Sequence, residues 1–233
     1  ETPNTQGEID YYGFFNIVVD AEIKNINFSN VEIRSTTSNN PVKIGLLASE
    51  VDGKSTITNI AIQNATLDLT KTYPQNEDKI GGVFGEVTEE AIIQNIYNNM
   101  EITDANATSF GNIFGNLDGS ATNILTQVTY TNFLSINVSV AKTLGENATL
   151  ENTYKLVANP NDNNKLYIEN EQEKTIENLL DELNGTDQKD FVWKEENGLL
   201  GLVRIENIKE EEITPQQPQQ APITFSFGRS ASI

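Results

Sequence analysis

The 233-residue chain has no cysteine, no histidine and only three arginines, and it sets 15 basic side chains against 34 acidic ones for a formal charge of −19. Each shortage removes a class of chemistry. Without cysteine there is no disulfide framework, no thiol nucleophile and no thiolate site for zinc or an iron–sulfur cluster. Without histidine the side chain that titrates near neutral pH is missing. The triads that use imidazole as base and the His-Glu-x-x-His zinc motif go with it. The acidic excess repels phosphate backbones, so nucleic acid is not an expected partner. No apolar run reaches the length of a membrane-spanning helix, so this segment is not expected to cross a bilayer. The chain opens Glu1-Thr2-Pro3. That reads as a processed product or an excised segment, which leaves room for an export signal upstream.

What the chain does have is asparagine, 30 residues of it, and an internal repeat. Four segments share one pattern. Tyr12-Gly13-Phe14-Phe15 is followed by Ile23-Lys24-Asn25-Ile26, and Ile44-Gly45-Leu46-Leu47 by Ile57-Thr58-Asn59-Ile60. Ile80-Gly81-Gly82-Val83-Phe84-Gly85 is followed by Ile93-Gln94-Asn95-Ile96, and Phe110-Gly111-Asn112-Ile113-Phe114-Gly115 by Ala121-Thr122-Asn123-Ile124. Gly13, Gly45, Gly81 and Gly111 are 32, 36 and 30 residues apart, and each precedes its asparagine by 12 or 14. Leu150-Glu151-Asn152-Thr153-Tyr154 echoes the second half once more. The insertions are polar and fall between repeats, as at residues 35–41 and 70–78. Constant apolar blocks with variable polar spacers are the mark of stacked coils with surface loops.

The local pattern is strand-like: short runs rich in β-branched residues that alternate with a period near two. About three strands of three to six residues are expected per repeat. The predicted fold class is all-β: a parallel β-helix (solenoid) of about four to five coils, with a C-terminal helix-plus-hairpin cap. In such a stack Ile26, Ile60, Ile96 and Ile124 form a ladder in the core, with coils about 4.8 Å apart. Asn25, Asn59, Asn95 and Asn123 share one bend, where stacked amides can hydrogen-bond from coil to coil. The repeat glycines serve bends that need either a positive φ or a close backbone approach.

These residues resemble GLUG-type repeats, whose unit is a Gly-rich apolar block followed, after a short loop, by an Ile/Val-x-Asn-Ile/Val strand. Residues 80–85 with 93–96 are the best copy. In the first two repeats Asn16 and Ser49 stand where the second glycine is expected. The resemblance covers about residues 11–154 and implies a parallel β-helix in a bacterial cell-surface or secreted protein. Such repeats occur in filamentous-haemagglutinin-like adhesins, autotransporter passengers and ancillary regions of some surface proteases. The motif marks a scaffold, not a chemistry.

Four regions follow: a lead-in over 1–10, the repeats over 11–154, a cap over 155–208, and a Pro/Gln-rich linker and tail over 209–233. Residues 160–164 read as a loop. Residues 171–184 read as a helix, because Ile176, Leu179, Leu180 and Leu183 share one face, with Thr175 as a cap and Gly185 just past the end. Residues 191–194 and 199–205 flank Asn197-Gly198, a hairpin signal. This module is expected to cover an open coil end. Trp193 has two open readings, packing or a sugar-stacking platform. Residues 223–228 could form a strand that pairs elsewhere.

No catalytic, cofactor or metal residues are assigned, and no cofactor is expected. Asp52-Gly53 and Asp118-Gly119 are equivalent-looking turns, read as turns before calcium ligands. Six Asn-x-Ser/Thr triplets occur, at Asn27, Asn64, Asn106, Asn137, Asn147 and Asn184. Asn106 and Asn184 also match a longer acidic glycosylation sequon. The spread-out negative charge suits an exposed scaffold that resists self-association. The leading expectation is a non-catalytic, secreted or surface-exposed stalk or adhesin segment that binds a host or cell-surface protein or glycan. The alternatives are a carbohydrate-active β-helix enzyme and an ancillary domain of a larger surface protease.

Overall fold

β-branched residues at alternate positions favour extended backbone, and each repeat spends them on strands that pair with the same strands of the next repeat. The computed structural model describes residues 9–35, 40–70, 77–103, 110–131, 139–171, 173–185, 190–205 and 223–225. The first coil holds β1 (Asp10–Tyr12), β2 (Phe15–Val19), β3 (Glu22–Ser29) and β4 (Val31–Arg34). The second holds β5 (Val42–Ile44), β6 (Ala48–Asp52) and β7 (Thr56–Asp68). The third holds β8 (Lys79–Ile80), β9 (Phe84–Val87) and β10 (Ile92–Thr103). In the fourth, Gly111 bridges to Gly81, followed by β11 (Phe114–Leu117) and β12 (Ser120–Thr131). β13 (Ala141–Leu144) and β14 (Thr149–Asn159) begin a fifth.

All the pairings between these coils are parallel, and they build three long sheets. The first sheet is β1-β5-β8, the second β13-β11-β9-β6-β2, and the third carries β14-β12-β10-β7-β4, with β3 also on β7. The chain is thus a β-solenoid of about four turns. Ile26, Ile60, Ile96 and Ile124 fall in one register, and the last three are fully buried. Short strands of three to six residues were expected throughout, but β7, β10 and β12 run to 13, 12 and 12 residues. The asparagine bend kinks these strands without ending their ladder. Within the long strands one coil carries an extra residue. The register of β10 on β7 shifts between Asn98 and Met100, and left-handed Asn64 donates its backbone N–H to Asn99 Oδ1 at 2.8 Å.

The C-terminal third departs from the coil period. Residues 160–164 are not an open loop. β14 turns at Pro160-Asn161 into β15 (Asp162–Ile168), which pairs with it antiparallel. β14 itself crosses the 154/155 boundary. α1 (Ile176–Asn184) begins five residues later than the expected 171–184, because Thr175 accepts the Asn178 N–H and sets its start. Gly185, at φ 51, ends it. β16 (Phe191–Glu196) and β17 (Leu199–Arg204) form the hairpin. Asn197 and Gly198 both have positive φ, as a two-residue primed turn requires. β18 (Ile223–Phe225) returns to pair in parallel with β4. Residues 206–222, which hold the Pro/Gln-rich stretch, lie outside the described residues.

The helix-plus-hairpin module does not sit over a coil end. It lies on the outer face of the third sheet and clamps the stack from the side. Asn27 Nδ2 donates to Leu202 O at 2.6 Å and Asn27 Oδ1 accepts from Leu202 N at 3.0 Å. Gln63 Nε2 donates to Leu200 O and Gln127 Nε2 to Gly198 O. These three carboxamides stand on coils one, two and four. Four residues of strand span about 13 Å and three coil steps about 14 Å. β17 therefore runs along the stacking axis, at right angles to the coil strands. Its apolar side chains, with Trp193 and α1, cover the outward column Ala61, Tyr97 and Leu125 and make a second core.

Candidate functional site

The repeat asparagines form one continuous polar spine. Asn25, Asn59, Asn95, Asn123 and Asn152 all take left-handed backbone, with φ between 53 and 59. Asparagine tolerates that region better than any other side chain with a Cβ except aspartate. Their side chains then line up: Asn59 Nδ2 donates to Asn25 Oδ1, Asn95 to Asn59 and Asn123 to Asn95, each at 2.9 Å, and Asn152 to Asn123 at 3.2 Å. Trp193 Nε1 also donates to Asn59 Oδ1 at 3.4 Å, so the clamp is keyed to the spine.

The repeat glycines answer the choice left open by the sequence. Gly13, Gly45, Gly81 and Gly111 have no positive φ. They are glycines because backbone atoms crowd them. A Cβ on Gly81 would lie 2.1 Å from Phe84 O, and one on Gly45 2.4 Å from Ala48 O. The first and second sheets approach so closely here that only hydrogen fits. Ser49, which departs from the repeat pattern in the column of Gly85 and Gly115, is fully buried, and its hydroxyl has no hydrogen-bond partner.

On the outer side of this crook lies a charged cluster that the sequence reading passed over. Lys43 Nζ is 2.5 Å from Glu50 and 2.6 Å from Glu86, Lys79 also pairs with Glu86, and Asn116 Nδ2 reaches Glu86 at 3.5 Å. Burial works against the Glu86 charge. Hydrogen bonds and attraction from Lys43 and Lys79 outweigh it and hold the carboxyl below its ordinary range. Burial likewise opposes the Lys43 charge, and Glu50 and Glu86 together raise its pKa. The cluster is legible on repeat alignment: Lys43 and Lys79 stand two residues before Gly45 and Gly81, and Glu50 and Glu86 five after. In the first coil the same columns hold Tyr11 and Ile17. Both carboxylates are paired with lysine, an arrangement suited to binding coils together.

The remaining candidates also have defined places. Asp52 accepts from Thr88 Oγ1 at 2.7 Å and from Gly53 N at 2.8 Å, and these bonds lower its pKa. Asp118 stands in the same column two coils on and accepts from Asn147 N. Both act as turn acceptors. Among the described residues no group of three or more acidic side chains is placed to hold a metal ion. Arg34 pairs with Glu32, and Arg204 lies over the Phe191 ring.

Trp193 is 1% exposed, which removes the sugar-platform reading. Burial pushes the Tyr97 phenol far above its ordinary value, and its hydroxyl donates to Gln127 Oε1. The Asn184 amide is spent on the hairpin: Nδ2 donates to Trp193 O at 3.1 Å and Oδ1 accepts from Trp193 N at 2.6 Å. A glycan on that nitrogen would displace the bond to Trp193. Asn106, the other proposed acceptor, lies outside the described residues. No family model, curated protein or solved structure matches the chain.

Proposed function

We propose that the chain is a non-catalytic β-solenoid scaffold: a secreted or surface-exposed bacterial stalk or adhesin segment that presents its coil faces to a protein or glycan. One observation carries this reading. The unbroken carboxamide spine from Asn25 to Asn152 commits the repeat's marked residues to stacking. The clamp across coils one to four, keyed to the same spine, supports it. The resemblance of residues 11–154 to GLUG-type repeats supports the placement at the cell surface.

The test sets binding against turnover. The purified chain is screened on glycan and surface-protein arrays, and in parallel with acidic and neutral polysaccharides for new reducing ends or unsaturated products. Binding without product is the expected result. Product formation that Glu50→Gln or Glu86→Gln abolishes would replace the scaffold with a carbohydrate-active enzyme.

A further inference from the structure

The two ends of the stack are chemically complementary. At the first coil β2 is an edge strand of the second sheet, with Ile17 48% and Val19 53% exposed. At the last coil β13 is the other edge of the same sheet, with Leu144 54% exposed. Leu144 continues the column of Val18, Val51, Val87 and Leu117, whose four side chains are buried, and it is the exposed member at the last coil. β15 covers the second half of β14 at one end and β18 covers β4 at the other. At the last coil β14 leaves β12 after Lys155 to pair with β15, and among the described residues β2, β3, β13 and residues 149–155 have an unpaired ladder edge.

The asparagine spine is also directional. Its donors all point toward the first coil. Among the described residues, Asn25 Nδ2 is left as an open donor at one end and Asn152 Oδ1 as an open acceptor at the other. Extending the coil register by one step sets Asn152 against Asn25, Leu144 against Val18 and Glu151 against Lys24. The last pair brings opposite charges together.

We propose that these faces form a head-to-tail contact between copies of this chain, in which β13 and the first half of β14 of one copy pair in parallel with β2 and β3 of the next. The spine, the buried column and the strand ladders then continue across the joint as they do between coils. Such a heterologous contact does not close on itself and yields linear chains. The charge of −19 opposes approach, so added salt strengthens association.

Sedimentation of the purified 233-residue chain over a wide concentration range, at low and high salt, tests this. Species larger than a dimer that grow with concentration and salt are expected. Ile17→Lys with Val19→Lys blocks one face, since edge lysines oppose strand addition. Leu144→Lys blocks the other. Each blocked variant alone sediments as a monomer, and an equimolar mixture of the two stops at a dimer. Glu151→Lys alone weakens association roughly threefold to fivefold, as expected for like charges across strands, and Lys24→Glu restores it. These side chains are exposed, and unchanged melting of the variants confirms that they fold. A wild-type chain that stays monomeric throughout overturns the proposal. So does a closed dimer indifferent to Leu144→Lys, or a charge swap that restores nothing.

Discussion

The third sheet carries two apolar cores back to back, and they are built by opposite rules. On its inner face the repeats supply Ile26, Ile60, Ile96 and Ile124, the same side chain at every step. On its outer face the adjoining column reads Asn27, Ala61, Tyr97, Leu125 and Tyr154, different at every step. The inner partner of each rung is another rung, so identity is the best fit. The outer partner is a module without repeats, and each rung is shaped to whichever part of it passes over. The energetics differ in the same way. Inner contacts join neighbouring coils only, whereas β17 and the turn before it reach from coil one to coil four and couple coils that do not meet.

The sharpest way to break this contrast is Trp193→Ala. It should cost about 4 kcal/mol, the range for emptying a buried aromatic site. Hydrogen exchange should rise across residues 190–205 and α1, with β7, β10 and β12 remaining protected. Loss of protection in those strands at the same denaturant concentration would mean that the clamp and the stack are one cooperative unit. Ile96→Ala in the inner core should cost about 3 kcal/mol in chemical denaturation. Its damage should centre on the third coil and its neighbours, leaving the Trp193 fluorescence of the native state little changed.

The spine gives a paired test. Asn95→Ala loses two amide bonds and forces an ordinary side chain into left-handed backbone, for roughly 2.5 kcal/mol. Asn95→Gly keeps the backbone free and loses only the amides, so it should cost about 1 kcal/mol. Equal costs would show that the amide bonds, and not the φ, set the residue.

A smaller effect than that of Asn95→Ala is expected at Glu86. Its folded pKa lies below the ordinary 4.5, so its contribution is complete above that value and is lost as pH falls through the folded one. Lys43, raised above 10.5, contributes fully below that pH and loses its contribution as pH rises through the folded value. Glu86→Gln should lower neutral-pH stability by about 2 kcal/mol, the range for hydrogen bonds to charged groups. It should also flatten the acid limb of an unfolding profile. An unchanged acid limb would show that other carboxylates govern it.

Much of the inner core was legible because parallel stacking turns sequence repetition directly into spatial contact. The positions of Ile60 and Asn59 could be read from the repeat before any coordinate. The Lys43–Glu86 cluster was equally present in the repeat offsets, but two coils of charge look like solvated surface until the crook between the sheets is seen to enclose them. The side on which the clamp docks was not legible. Asn27, Gln63 and Gln127 are ordinary polar residues on outward positions, and nothing local marks them as the arms that hold β17.

The sequence alone determined the coil, its period, the bend shared by the repeat asparagines, the helix cap at Thr175 and the Asn197-Gly198 turn. Each of these is set by a residue's own backbone preference or by contact with its own counterpart one repeat away. Only the tertiary structure decided that the glycines are dictated by crowding, that the module lies along the side of the stack, that Asn184 and Trp193 are locked together, and that the tail returns to β4. Those outcomes depend on which surfaces meet when residues far apart in the chain and unlike in pattern are packed together, and shape complementarity of that kind leaves no periodic trace in the chain.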